Sequence, residues 1–241
     1  MTVMGMTPSV DYARQPGETE IVSAHRLRTL LEPFLPGPLN DNLVASLSLY
    51  LGVLLRWNAR LNLSAVREPE YIVTRHIGES LFAAARLLPA PNLALRAIDV
   101  GSGAGFPGLP LKIYAPRVHM TLIESQHKKA TFLKEVIRAL CLADIEVLTD
   151  RAEKCTARAD LVTLRAVERF EEILPIAATL LRTPTHGGEG EVGEPRLALL
   201  IGSSQVAIAQ RVLAGFGWRE PIPMPLAKNR VLLVGALSAV R

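Results

Sequence analysis

The chain has 241 residues, 49% apolar and 21% charged, a balance ordinary for a globular protein and a length that can bury a sizeable core. The formal charge of +4 permits a polyanionic partner without requiring one. Two cysteines, Cys141 and Cys155, are too few for a disulfide framework. His25, His119, His127 and His186 fall at no metal-ligand spacing, so no metal is expected.

Residues 1–20 are polar and carry proline and glycine, which predicts a flexible arm; they lack the basic segment and apolar core of a secretory signal. The most apolar-rich run, Leu43–Leu55, contains serines and ends at Arg56. A membrane span needs about 20 apolar residues, so none is expected and the reading is of a soluble cytoplasmic protein. Residues 21–90 form a predicted N-terminal helical region. Leu47, Leu51, Leu54 and Leu55 make one stripe of a helix over 41–58, with Asp41 as its expected cap. Pro69 suits the first turn of a second helix, whose apolar face is Ile72, Val73, Ile77 and Leu81.

Over 91–241 the pattern becomes strand–helix alternation. Strands are predicted at Arg96–Val100, His119–Glu124, Ile145–Leu148, Leu161–Leu164 and Arg196–Ile201, with helices near 109–115, 127–141, 168–182 and 204–214. That alternation gives an α/β fold, a mostly parallel sheet with helices on both faces. Trp218–Pro225 and Arg230–Ala236 read as a closing antiparallel hairpin, and Thr183–Pro195 as a mobile loop.

The stretch AIDVGSGAGFPGLP, 97–110, follows the first strand, and ligands of open α/β sheets bind beyond the carboxyl ends of the strands. A phosphate-binding loop of the G-x-x-x-x-G-K-[ST] type is excluded, because Leu109-Pro110 stand where Lys and Ser/Thr are needed. A dinucleotide site fits Gly103, Gly105 and Gly108, with Glu124 for the ribose. Against it, Asp99 would sit at the loop's mouth and face a pyrophosphate. S-adenosylmethionine, which carries an ammonium and a sulfonium and no phosphate, turns both acids to advantage. The glycines at 101, 103 and 105 allow close backbone approach. The pattern favours the cationic ligand and leaves the dinucleotide open.

Several ordered segments resemble the glucose-inhibited division protein B family, bacterial methyltransferases of 16S ribosomal RNA that modify N7 of one guanine. They are WNARLNLSAVREPEYIVTRHIGESL (57–81), DVGSGAGFPGLPL (99–111), ESQHKKATFLKEV (124–136), DRAEK and LVTLRAV. The resemblance implies a class I S-adenosylmethionine-dependent methyltransferase, a Rossmann-like seven-stranded sheet with an N-terminal helical cap, over a methyltransferase domain at 91–241. It implies that Gly101 and Phe106 line the cofactor pocket, that Ala152 and Glu153 flank the adenine, and that Arg165 lies in the active-site mouth as a positioning group. With Asp99, Gly103 and Glu124 these make the expected cofactor site. The chain departs from the family pattern at Ile201-Gly202, where a lysine usually precedes the glycine. It also departs in the length of the 183–195 loop, and at Gly78, which costs helix propensity.

Guanine N7 has a lone pair and no proton, so methylation needs no general base. That agrees with a sequence showing no Ser–His–Asp, paired-carboxylate or metal-ligand motif. The expected RNA contacts are Arg67, Arg75, His76, Lys128, Lys129 and Arg151, with Arg56 and Arg60 as further basic candidates. Lys128 and Lys129 open a predicted helix against its dipole, which favours a ligand-driven reason for them. The expected partner is 16S ribosomal RNA or the small ribosomal subunit, and the expected state a monomer.

Overall fold

The computed structural model describes residues 21–61, 63, 66–88, 94–183 and 194–237. The arm expected over 1–20 and residues 184–193 of the expected loop lie outside them.

Helix α1 (Ala24–Leu31) is capped by Ser23, whose Oγ accepts from the Arg26 amide at 3.1 Å. Helix α2 spans Asp41–Leu61. Its cap is Asn40, not the expected Asp41: Asn40 Oδ1 accepts from the Leu43 amide at 2.8 Å, while Asp41 pairs with Arg28. Leu47, Leu51 and Leu54 are buried as the stripe requires, and Leu55 is half-buried. Helix α3 (Pro69–Ile72) runs through a π-helical segment, Val73–Gly78, into α4 (Glu79–Leu87). Ile72, Val73, Ile77 and Leu81 are all fully buried. The wide turns of the π segment are a common mark of a functional site.

The sheet contains β1 (Arg96–Val100), β2 (His119–Ile123), β3 (Ile145–Leu148), β4 (Leu161–Arg165), β5 (Arg196–Gly202), β6 (Phe216–Trp218), β7 (Ile222–Pro223) and β8 (Arg230–Leu237). Its order is β3-β2-β1-β4-β5-β8-β6, with β7 also paired to β8. The first five strands are parallel, and β8 runs antiparallel between β5 and β6. The tail hairpin therefore forms as expected, with β8 inserted into the sheet. Between the strands lie α5 (Gly108–Tyr114), α6 (His127–Ala139), α7 (Phe170–Thr179) and α8 (Val206–Val212). Helix α7 starts at Phe170 rather than 168 because the chain leaves β4 through two left-handed residues, Ala166 (φ 48°) and Arg169 (φ 50°).

Strand alternation sorts the core into two faces. Ala97, Met120, Leu122, Leu161, Ala198 and Leu232 join the leucines of α1, α2, α4, α5 and α6 in one cluster. Ile98, Val100, Ile123, Val162, Leu164 and Leu199 join α7 and α8 in the other. The N-terminal helices thus share a continuous core with one face of the sheet. The strand order reverses at β1, whose neighbours are β2 and β4, and that opens a crevice beyond the carboxyl ends of β1 and β4.

Gly78 has a structural reason that outweighs its helix cost. A Cβ there would lie 2.6 Å from Cε2 of Phe34, which is itself buried. Gly78→Ala should therefore destabilise by about 1–2 kcal/mol in urea denaturation, overpacking exceeding the propensity gain. In a Phe34→Leu background that loss should shrink. Equal losses in both backgrounds would show that the ring is not the obstacle.

Candidate functional site

A cleft of about 600 Å³ opens at this crevice, inside the range of small-molecule sites. Its floor is the loop after β1. Gly101, Gly103 and Gly105 have φ of 68°, 57° and 92°, a left-handed region that glycine enters without strain. A Cβ on Gly101 would meet Val167 at 3.0 Å, and one on Gly105 would meet Leu109 at 2.3 Å. The Tyr50 hydroxyl, from α2, donates to the Ala104 carbonyl and ties the N-terminal helices to the loop. Burial raises the Tyr50 hydroxyl well above its ordinary value, so it stays a donor.

Asp99 is not at the mouth. It is fully buried beneath the loop and does not line the cleft. Its carboxylate accepts from the Thr163 hydroxyl at 2.7 Å and the Gly108 amide at 3.2 Å, and the Ser102 hydroxyl donates to its backbone carbonyl at 3.0 Å. Asp99 shares its sheet face with Ala97, the face covered by α5, so its side chain points under the loop rather than out of it. Burial raises its carboxyl to about 6, against the lowering effect of the Thr163, Ser102 and Gly108 hydrogen bonds and of Arg165.

Glu124 does face the cleft, at the end of β2. Its oxygens accept from the amides of Gly103 (2.9 Å) and Gln126 (2.7 Å), which aims the carboxylate at the glycine loop. Ala152 and Glu153 line the wall beyond β3, and Phe106 the wall beneath His76. The His76 and Phe106 rings stack at 4.9 Å, and Phe106 also packs against Tyr50 at 5.6 Å. Burial, with Arg165 and Arg75 nearby, pushes His76 down to about 3, so the imidazole is neutral.

Arg165 ends β4 and lines the same cleft, 5.8 Å from the Phe106 centroid, yet it is buried. It donates to the Arg75 carbonyl at 2.6 Å, the His76 carbonyl at 3.3 Å and Glu79 Oε2 at 3.0 Å. Burial lowers it to about 10, which leaves it charged. It is both a wall of the cleft and a strut to the π-helical segment.

Of the expected RNA contacts, His76, Lys129 and Arg151 line the cleft. Arg67, Arg75 and Lys128 do not: Arg67 and Lys128 are exposed elsewhere on the surface, and Arg75 is half-buried. Five acids line the cleft, Glu124, Asp150, Glu153, Glu168 and Glu172, against four cations, Lys129, Arg151, Arg165 and Arg169. Asp150 pairs with Lys154 and Glu172 with Arg169. The acid excess comes from this rim and not from Asp99. Ile201, where the family pattern has lysine, is buried on the α7–α8 face and does not line the cleft. Glu79 has no counterpart among the expected residues. The signals for it are an acid set between the apolar Ile77 and Leu81 on the buried helix stripe and its place in the RHIGES stretch of the segment that resembles the family.

The fold and this cleft define a class I S-adenosylmethionine-dependent methyltransferase. The structure resembles that of magnesium protoporphyrin IX methyltransferase from Synechocystis PCC 6803, with a TM-score of 0.58 at 14% identity over 78% of this chain and 97% of that one. It also resembles the ribosomal protein L11 methylase of Lactobacillus delbrueckii subsp. bulgaricus, with a TM-score of 0.52 at 14% identity over 69% and 80%. The family model described as rRNA small subunit methyltransferase G matches residues 43–186. The ribosomal RNA small subunit methyltransferase G of Chloroflexus aggregans is 37% identical over 208 residues, 82% of this chain and 83% of that one. That of Aquifex aeolicus is 46% identical over 136 residues, 55% and 68%. The chain belongs to the rRNA small subunit methyltransferase G family.

The buried Asp99 carries a pH signature. Its carboxyl stands at about 6 in the folded protein against an ordinary 3.8. Between those values the folded state holds a proton that the unfolded chain has released, so ionisation weighs against folding as pH rises through that window. Asp99→Asn has no such group. Its stability deficit relative to the parent should shrink by about 2–3 kcal/mol from pH 4 to pH 7 in urea denaturation. A deficit that does not change with pH would show an ordinary carboxylate.

Proposed function

We propose that this protein transfers a methyl group from S-adenosylmethionine to N7 of a guanine in 16S ribosomal RNA. The observation that carries the reading is the cleft beyond β1 and β4, floored by a loop in which the left-handed glycines Gly101 and Gly103 line the cavity, and rimmed by more acids than bases. Membership of the family supplies the substrate class.

The residues present fit the cofactor. Gly101 and Gly103 offer bare backbone at the floor, where a side chain would stand between the loop and a ligand. Glu124 is the group for the ribose hydroxyls, and Ala152 and Glu153 flank the adenine. Glu153 and Glu168 have no hydrogen-bonding partner among the described residues, so both are available to a cationic ligand. A rim of this charge disfavours a diphosphate and so disfavours the dinucleotide. When bound, S-adenosylmethionine supplies an electrophilic methyl on a sulfonium.

Guanine N7 has nothing to deprotonate, so the chain's task is placement, worth about 7–11 kcal/mol when two reactants are held in near-attack geometry. Arg165 spends three hydrogen bonds on the protein and keeps its remaining N–H groups for the substrate side. Lys129 and Arg151, on the rim, are the candidates for RNA phosphates, with the exposed Lys128 next to Lys129 in the chain. His76 is neutral and offers stacking rather than charge. The protein acts as a cytoplasmic monomer on the RNA or on the assembled small subunit.

The test is methyl transfer to small-subunit RNA and to intact particles from a strain lacking the activity, with the product mapped by mass. A methyl at guanine N7 is expected; labelled particles with the mark on another base, or none, would overturn the reading. Calorimetric titration separates the cofactors: S-adenosylmethionine should bind and NAD should not. Gly101→Asp should abolish that binding with the fold intact by circular dichroism, because the new side chain occupies the loop's contact surface against Val167. Unchanged affinity would move the site elsewhere.

A further inference from the structure

Glu79 is a carboxylate with 1% exposure at the start of α4, and the proposed chemistry makes no use of it. Burying a lone carboxylate is expensive unless it is paired and hydrogen-bonded. Its two oxygens are divided between two strands. Oε2 accepts from Arg165 of β4 at 3.0 Å, and Oε1 accepts from Arg230 of β8, through Nε at 2.7 Å and through Nη2. One of these arginines, Arg165, is a wall of the cleft; Arg230 is not.

We propose that Glu79 is a positioning residue that neutralises and aims Arg165, so that the cleft can hold a cationic sulfonium beside a guanidinium. The inference rests on the reading that the cleft takes S-adenosylmethionine. Three acceptors fix the Arg165 guanidinium: Glu79 and the carbonyls of Arg75 and His76. Only Glu79 brings charge: burial raises its carboxyl to about 7, against the lowering effect of Arg165 and Arg75, so it is ionised above neutral pH. The carbonyls hold direction but leave the full positive charge facing the cleft. An unscreened guanidinium several ångströms from a sulfonium would cost the ligand roughly tenfold in affinity. The other ionisable groups around the pair are Arg230, Arg75, Tyr50, Asp99 and His76. Arg230, which shares the Glu79 carboxylate, and Arg75 add to the positive charge, and neither Tyr50, kept protonated by burial, nor the neutral His76 removes it. Asp99 lies on the far side, beneath the loop, and is committed to Thr163 and Gly108.

Donor and product provide a readout that a purely structural role would not move. S-adenosylmethionine carries the sulfonium charge, whereas S-adenosylhomocysteine has the same adenosine and amino-acid groups around a neutral thioether. Binding of both to the full-length protein is measured by calorimetry at one pH above 7, where Glu79 is ionised. In Glu79→Gln, affinity for the methionine form should fall roughly tenfold while the homocysteine form changes less than about twofold. Glu79→Asp, which keeps the charge, should return most of the loss. Arg165→Gln, with Glu79 retained, tests the same claim from the other side: the ratio of the two affinities should move toward the methionine form. That variant decides the matter if Glu79→Gln does not fold. Parallel changes for both ligands in either variant would make Glu79 a structural strut and overturn the inference. A parent protein that binds neither ligand would instead overturn the proposed function on which the inference stands.

Discussion

The site is held open by a carboxylate that never reaches it. Asp99 joins β1 to β4 through Thr163 and to the start of α5 through the Gly108 amide, so both ends of the glycine loop hang from one side chain. A loop of left-handed glycines has little rigidity of its own, since glycine gives up more backbone freedom on ordering than any other residue. Fixing its two ends from beneath supplies the order without placing a side chain in the ligand's path. The cost is a buried acid whose ionised form burial disfavours. Gly108 follows from the same contact: a Cβ there would lie 2.8 Å from Asp99 Oδ2 and 2.4 Å from Leu122. The fourth glycine of the loop is therefore needed for close approach to the carboxylate, and not for a phosphate.

That geometry explains what was legible in the residues. The alternation of apolar runs placed every parallel strand to within a residue, because both faces of this sheet are covered and the strands are nearly continuous in apolar side chains. The glycines at 101, 103 and 105 stood out because no other residue adopts those angles without strain. Asp99 was misplaced because a strand-end acid can point along the strand or off one face. The parity with Ala97, which favours the α5 face, is informative only once it is known which helix covers which face. Glu79 escaped for a different reason. Its partner Arg165 lies 86 residues away and Arg230 lies 151 away, and no local pattern encodes such a pairing. Gly78 looked like a loss of helix propensity until the Phe34 ring was seen against it. The start of α7 moved for want of any glycine to announce the left-handed turns at Ala166 and Arg169.

The charge logic of the cleft survives with its actors changed. A pair of strand-end carboxylates was expected to favour a cation over a diphosphate. One of them, Glu124, stands on the wall, and the rest of the negative field comes from the rim after β3 and β4. This division has a physical advantage. The floor of the cleft is backbone, whose amides and carbonyls are fixed, whereas Glu153, Glu168 and Glu172 on the rim are exposed to solvent. A carboxylate buried in the floor would tend to protonate, as the raised value for Asp99 illustrates. Negative potential is therefore better supplied from the edge than from below.

The N-terminal helices enter the site through polar atoms rather than through packing alone. The π-helical segment brings the carbonyls of Arg75 and His76 to one guanidinium, and α4 begins with the carboxylate that completes its ligation. Tyr50 adds a hydroxyl to the glycine loop from α2. These contacts cross from the helical layer to the ends of β1 and β4, the two strands that flank the crevice. Apolar packing of the same helices on the sheet would tolerate a slide of an ångström or so, because Leu and Ile contacts are non-directional. Hydrogen bonds to a planar guanidinium do not tolerate it. The helical layer is thereby registered against the cleft at the point where Arg165 lines it, and the register is set by a cluster that mixes one acid, two arginines and two backbone carbonyls.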